Sequence, residues 1–434
     1  MKASLNAHFL ASMQPMKYDG SPMKYEGPEH YVQSQGPFPP LKAVREGLNL
    51  RWYRCPTPRG ALTRLAQRSD AQGLFMAVGH LSIWLATFAF ALTCWRGGHA
   101  ALTALAVVLH GTVGSTMVYG CHEMGHGTVF RTKRLNDGFL ALYSLLFWWD
   151  PVEYATSHTQ HHRYTQYPEA DRENVPPIVP GLEFWPLLQL FTLNLTLRPD
   201  RVFGKGGALS CVELTVRAAL GGVAADAGTK QHEWLSALHA DQPDQAAKSM
   251  RWNRVLLAFH AAVLGASVYA REPAVFLLTS CHSFFGNWLS YFVGGTQHCG
   301  LAGSVPDFRQ NTRSVALPAF VEFLFWHMNW HMEHHMFAAI PCYNLRKIRD
   351  LVASDCPAPR TLVGAWREMR HIHAMQLADP AFVYKVPLPA TAGAGGAARC
   401  NADGTRRAAD DAAESIGDLA PADGPEARAR RKDA

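Results

Sequence analysis

The chain has 434 residues, of which 48% are hydrophobic, and a formal net charge of +6 at pH 7. Such averages fit a globular protein of one to three domains, but the apolar residues are concentrated in the middle and both ends are polar. The nine cysteines contain no CxxC pair, which argues against a disulfide framework or a zinc ribbon and favours a reducing compartment around the soluble parts.

Both ends of the chain are predicted to be disordered. Residues 1–40 are rich in Pro, Gly, Met and Tyr and contain the short repeat PMKYDGS and PMKYEGP. Residues 388–434 consist mainly of Ala, Gly, Asp and Arg, a composition that also predicts a disordered tail. The final residues, 430–434, resemble a dibasic signal for retrieval to the endoplasmic reticulum, although a solvated basic terminus explains them at least as well.

A basic segment precedes the first apolar run. Residues 41–73 contain seven Lys and Arg side chains between Lys42 and Arg68, against the single acid Glu46. Such a run could bind nucleic acid, but its position beside a candidate span favours a cytosolic segment next to a membrane. We therefore expect a membrane and no nucleic acid among the partners.

Four apolar runs of membrane-spanning length, about 20 residues each, lie in the middle of the chain. They cover residues 74–95, 99–120, 253–270 and 273–293. Only Arg96-Gly97-Gly98 joins the first pair and only Arg271-Glu272 joins the second, which predicts two helical hairpins whose tips cross the membrane. The predicted fold class is an all-α integral membrane protein with four transmembrane helices, whose membrane domain covers residues 74–387.

The remaining segments are predicted to form a helical cap on the cytosolic side. Basic residues cluster outside the hairpins, and the positive-inside rule therefore places both termini and the cap in the cytosol. Residues 139–149 and 184–197 are apolar but short, so they should lie at the interface or pack under the cap. Residues 226–252 should be a soluble loop or cap in which His232 and His239 are surface residues, and residues 315–326 should be a helix.

Histidines recur in three motifs at helical spacing, all on the cytosolic side of the predicted spans. The motifs contain His122 and His126; His158, His161 and His162; and His331, His334 and His335. At i, i+3 and i+4, imidazoles on a helix project from one stripe. Eight imidazoles exceed the three or four protein ligands of a single zinc, so the pattern predicts two metal ions, which could be Zn, Cu, Fe or Ni.

The three motifs and their order around two apolar hairpins resemble those of the membrane fatty acid desaturase and hydroxylase family. The resemblance runs from about Leu74 to Arg349. It implies that the eight histidines bind two non-haem iron ions, which activate O2 and abstract hydrogen from an acyl chain. A further ligand of that family, found after the fourth span, corresponds to His298. The Asn that some desaturases carry one helical turn earlier is replaced here by Gly294.

The resemblance to this family leaves two questions open, the role of His327 and the reaction type. His327 lies one helical turn before His331, so it should face the same way and either bind metal or orient a ligand imidazole. Desaturation and hydroxylation share their first hydrogen abstraction; the sequence around Phe337 and Pro341 favours a desaturase, with a lipid hydroxylase or ketolase as the alternative. No segment resembles cytochrome b5 or a ferredoxin, so a separate electron donor of either type is expected.

Two readings outside this family are also possible. The sequence from His122 to His126 satisfies HExxH, the zinc metalloprotease motif, with Glu123 as general base. This reading leaves the other two motifs unexplained. A membrane metal transporter would also use histidine clusters, but transport sites usually lie near the middle of the membrane and these motifs lie at or beyond the ends of the predicted spans.

Overall fold

The computed structural model describes residues 40–390, except 59, 169, 172, 174–178 and 198–204, together with residue 392. The predicted disordered arm and nearly all of the predicted tail, including its dibasic end, lie outside these residues. Within them the chain is mostly helical, as predicted, and its strands are two residues long.

The helices follow one another through the described part of the chain. They are α1 Leu41–Gly47, α2 Ala61–Leu65, α3 Asp70–Arg96, α4 Ala100–Ser115, α5 Met117–Gly125, α6 Lys133–Leu146, α7 Pro151–Arg163, α8 Phe184–Phe191, α9 Ala208–Ala219, α10 Lys230–Asp241, α11 Pro243–Tyr269, α12 Pro273–Ser280, α13 Trp288–Gly294, α14 Phe308–Asn311, α15 Ala319–Leu324, α16 His331–Met336, α17 Leu345–Val352 and α18 Leu362–Ala378. Two short 3-10 turns cover His282–Phe284 and Cys342–Asn344. Strands β1 Val315–Ala316 and β2 Arg360–Thr361 pair in parallel, with Val315 opposite Arg360.

The first predicted hairpin is formed by α3 and by α4 with α5. Among the described residues, these are the two stretches long and apolar enough to cross a membrane, Asp70–Arg96 and Ala100–Gly125. The Ser69 side chain caps α3 by accepting a hydrogen bond from the Gln72 amide, and Gly98, at φ +71°, makes the tight turn that follows Arg96. The sequence therefore located this hairpin correctly.

The second predicted hairpin differs from the expectation. The run at 253–270 is the C-terminal part of α11, a 27-residue helix whose first turns are polar. The run at 273–293 is not one helix, because α12 ends at Ser280, a 3-10 turn follows, and α13 begins only at Trp288. The prediction of a continuous helix there is wrong, and the four-span arrangement stays a prediction.

Close packing against α4 explains the interruption. A Cβ at Gly111 of α4 would collide with the backbone carbonyl of Phe285, and a Cβ at Gly286, which has φ +58°, would lie 2.5 Å from the Val108 carbonyl oxygen. Backbone groups released by the break pair elsewhere, since the Gly286 amide donates to the Thr192 carbonyl at 3.0 Å. The segment after α8 thus replaces the missing helical hydrogen bonds.

The cap is more helical than the sequence indicated. Residues 226–252 contain α10 and the start of α11, and α10 buries Trp234 and Leu235 in a small core that it shares with α1 and α9. Neither His232 nor His239 joins the histidine motifs; the imidazole of His239 lies 3.0 Å from Glu153 and is 24% exposed. Residues 315–326 were expected to be a helix, but they begin as β1 and become helical only in α15.

Candidate metal centre

The first two histidine motifs lie at the C-terminal ends of helices. His122 is in α5, and His126 follows its last residue, with the His126 amide donating to the His122 carbonyl at 3.3 Å. Helix α7 begins with Pro151 after Asp150, whose carboxylate accepts from the Val152 and Glu153 amides. This start places the histidines of the second motif in the last two turns of α7.

The third motif is the short helix α16, which begins at His331 itself. His298 reaches it from the turn after α13, and its Nδ1–H donates to the Asn311 carbonyl at 2.9 Å. The Nε2 atoms of His298 and His331 then lie 2.9 Å apart. The structure therefore brings His298 beside the third motif, and its role as a metal ligand stays a prediction.

All nine predicted histidines are buried and form two groups in which the candidate ligand atoms lie within 4.8 Å of one another. The five-histidine group consists of His122, His126, His158, His162 and His334, and the four-histidine group consists of His161, His298, His331 and His335. The motifs are not kept together: adjacent residues His161 and His162 belong to different groups. Each group therefore depends on more than one helix.

Within each group, the Nε2 atoms of neighbouring rings face one another at distances that suit binding to one cation. Nε2 of His162 lies 2.9 Å from Nε2 of His158 and 3.1 Å from that of His334. In the four-histidine group, Nε2 of His335 lies 3.1 Å from that of His331. Two nitrogens that bind the same metal ion, each at about 2.1 Å and with a right angle between the two bonds, lie about 3 Å apart. This spacing fits metal-bound imidazoles.

The Nδ1 atoms on the far side of several rings have acceptors. Nδ1 of His161 lies 2.9 Å from Asp171, and Nδ1 of His158 lies 2.8 Å from Glu173. His298 donates to a carbonyl, as described above. Where an acceptor holds the proton on Nδ1, the Nε2 lone pair of that ring points at a neighbouring imidazole, and a cation between two such rings would relieve their repulsion. The donor set therefore fits two metal ions.

Burial and charge set the protonation of these imidazoles. Burial, followed by the neighbouring imidazoles, holds the pKa of His158 well below its ordinary range. Burial also acts to lower the pKa of His161, but the carboxylates of Asp171 and Glu173 outweigh it and raise that pKa to about 9. Most rings are thereby kept neutral, the form that binds metal, while His161 is made a more basic imidazole.

A comparison with known protein families agrees with this geometry. Residues 98–365 match the model of the fatty acid desaturase family, a range that includes all nine histidines. The chain belongs to the fatty acid desaturase family. No match was found among curated proteins. The family assignment makes the protein an oxidoreductase of the desaturase and hydroxylase type, and the family is membrane-associated and acts on acyl lipids.

The position of Glu123 in this desaturase-family protein differs from the position that the metalloprotease hypothesis requires. Its carboxylate is completely buried, and Oε1 lies 2.9 Å from Nδ1 of His122 and 3.4 Å from Nδ1 of His334. It therefore sits behind the two rings, away from the Nε2 atoms. A protease base would have to face the metal-bound water. Together with the family match, this position removes the support for a metalloprotease.

Three carboxylates behind the imidazoles were missed as site residues by the sequence analysis. Glu123 was considered only as a protease base, whereas Asp171 and Glu173 were not singled out. Their one sequence signal is position: Glu123 follows His122 directly, and the other two lie shortly after the second motif. Such spacing could have indicated residues that hold and orient ligand imidazoles.

His327 does not face the same way as His331. Helix α16 begins only at His331, and His327 has φ +57°, so the two are not on one helical face. Nδ1 of His327 lies 3.0 Å from Glu322 instead, and His327 belongs to neither histidine group. The prediction of a common face is wrong, and among the described residues no hydrogen bond joins His327 to an imidazole of either group.

Proposed function

We propose that the protein is an acyl-lipid desaturase that uses O2 and two externally supplied electrons to introduce a C=C bond into an acyl chain. The observation that carries this proposal is the pair of buried histidine groups within the family match. We propose His122, His126, His158, His162 and His334 as ligands of one iron and His161, His298, His331 and His335 as ligands of the other.

Two bound irons would supply O2 activation and the abstraction of hydrogen from an unactivated carbon. The protein supplies the geometry for this chemistry. Imidazoles are neutral ligands, and the negative charge near the site comes from Asp171 and Glu173. These two carboxylates, and the buried side chain of Glu123, lie behind the rings and fix their orientation. The substrate's C–H bonds have no acidity that these carboxylates could exploit as bases.

The membrane arrangement belongs to the same proposal. We place both termini, the cap and both histidine groups in the cytosol, with four spans at about 74–95, 99–120, 253–270 and 273–293. The interruption of the last run is compatible with a span because its freed backbone groups are paired within the protein. An acyl chain could then reach the site along the membrane surface. Residues 74–387 would constitute the membrane domain.

Product analysis tests the proposed reaction. The full chain is expressed in a host without similar activities and fed a perdeuterated fatty acid, with His334→Ala as the control. We expect an alkene lighter by two deuteriums than the fed chain and absent from the control. A hydroxylated or keto product would refute desaturation and establish the alternative chemistry of the same family, whereas no oxidised lipid at all, under added reductant, would refute both.

A further inference from the structure

A short series of aromatic rings connects the surface with the four-histidine group. The indole of Trp52 lies parallel to Phe308, with ring centroids 4.1 Å apart and an interplanar angle of 5°. The Phe308 ring is in turn 5.5 Å from the imidazole of His335. Phe308 and His335 are buried, whereas Trp52 is partly exposed. Two ring contacts therefore lead from solvent to a proposed iron ligand.

The position of Trp52 is fixed from several sides. Its indole Nε1–H donates to the carbonyl of Arg163, the last residue of α7, at 2.9 Å. The next residue, Tyr53, donates its amide to the Pro306 carbonyl at 2.8 Å, and the Arg309 guanidinium lies over its ring at 3.7 Å. The ring contact with Phe308 is thus part of a tightly held segment rather than a chance approach of a surface side chain.

The surface around Trp52 is basic. Arg51 precedes Trp52, Arg163 accepts its indole hydrogen bond through the backbone, and both residues are exposed. Helix α1 packs into the same small core as Trp52. It contributes one exposed basic residue, Lys42, and one exposed acidic residue, Glu46. An excess of positive charge favours encounter with an acidic protein.

We propose that Trp52, Arg51 and Arg163 form the docking surface for an acidic one-electron carrier protein, and that electrons pass through Trp52 and Phe308 to His335. This rests on the proposed function, because only an O2-dependent redox site consumes electrons. Two docking events, each oxidising one carrier by one electron, supply two electrons. With two protons and two substrate hydrogens, they reduce one O2 to two waters as the C=C bond forms.

The docking surface is tested by binding, which needs no turnover. The full chain is placed in nanodiscs of zwitterionic lipid, and association with an oxidised soluble cytochrome b5 domain, and separately with a plant-type ferredoxin, is measured at increasing salt. For the variant Arg51→Glu/Arg163→Glu we expect at least one carrier to associate about tenfold more slowly at low salt, with a weaker salt dependence. The matched control Arg131→Glu/Arg134→Glu reverses two exposed charges beside the first span.

The outcomes distinguish docking of a carrier protein from contact with the membrane. Equal association of the double variant and the control, or no binding of either carrier, would overturn the proposal. So would an effect seen only in discs containing anionic lipid, because the basic surface would then be contacting the membrane. Charge-dependent binding without any lipid product would support docking and refute the proposed function. Desaturation with a chemical reductant, but without charge-dependent binding, would support the proposed function and refute docking.

The ring pathway has its own test. Trp52→Phe keeps an aromatic ring against Phe308, whereas Trp52→Leu removes it while keeping an apolar side chain. At saturating carrier, we expect reduction of the iron site, followed spectroscopically before any O2 is added, to be several-fold slower in Trp52→Leu than in Trp52→Phe. Equal rates in the two variants, with equal iron content, would exclude this pathway.

Discussion

The carboxylate of Asp171 lies 2.9 Å from Nδ1 of His161 and has no exposed surface. The same carboxylate also accepts a hydrogen bond from the Gln166 amide at 2.7 Å, which fixes it within the turn after α7. This pair connects the protonation of one imidazole with the local fold of the chain that follows the second motif.

We expect Asp171→Asn to weaken iron binding by about 10- to 100-fold, because the amide keeps the shape of the side chain but removes the charge that makes His161 a basic ligand. Iron affinity measured by competition with a chelator checks this. Asp137→Asn, at an exposed position of α6, is the matched control. An affinity equal to that of the unchanged protein would contradict the role assigned to Asp171.

The iron content of the purified chain should be about two per molecule, since the two histidine groups are separate sets of candidate ligands. His334→Ala and His161→Ala each remove a ligand from one group, and we expect both to abolish product formation while membrane insertion persists. His232→Ala changes a histidine outside both groups and should have no effect. One zinc and no iron in the unchanged protein would contradict this prediction.

Topology mapping checks the four-span arrangement. Single accessible cysteines or glycosylation sites near Gly97 and Glu272 should react from the far side of the membrane, whereas a site at Lys230 should react only from the cytosolic side. The comparison needs a permeabilised sample to prove that every site is reactive. Labelling at Lys230 from the far side would be incompatible with the proposed arrangement.

Gly111→Ala should destabilise the protein, because the new methyl group would collide with the Phe285 carbonyl where α4 meets the interruption between α12 and α13. Overpacking of this kind costs about 1–3 kcal/mol. Gly265→Ala is the control, since a Cβ at that position of α11 meets no atom within 4 Å. Thermal unfolding in one detergent should show a lower Tm for Gly111→Ala alone; equal Tm values would mean that the contact can relax.

Stability at acidic pH should depend on Glu368. Burial acts to raise its pKa, but Arg313 and Arg360, at 2.9 and 3.1 Å, outweigh this and lower it. A pKa lower in the folded state contributes stability that is present above the unfolded value, near 4.5, and is lost as the pH falls through the folded value. Glu368→Gln should therefore lower Tm at pH 6 and flatten its decline towards pH 4, unlike Asp350→Asn at an exposed site.

The histidine motifs and the first hairpin were predictable from the sequence because both depend on local periodicity. The i, i+3 and i+4 spacing survives folding, and a long apolar run joined by Gly97-Gly98 has few alternatives. The interruption after Ser280 was not predictable, since it depends on the distant Gly111 and on backbone partners near Thr192. The same applies to Asp171 and Glu173, whose roles depend on how the chain turns after α7.

His161 and His162 serve different groups although they are neighbours in sequence. Successive residues of an α-helix point about 100° apart, so the last turn of α7 can address both groups only because it runs between them. The rotation of that turn is set where α7 begins, at the Asp150 cap. A one-residue insertion or deletion between Asp150 and His158 would therefore turn the histidines of both groups away together, which makes this short helix intolerant of any change in its length.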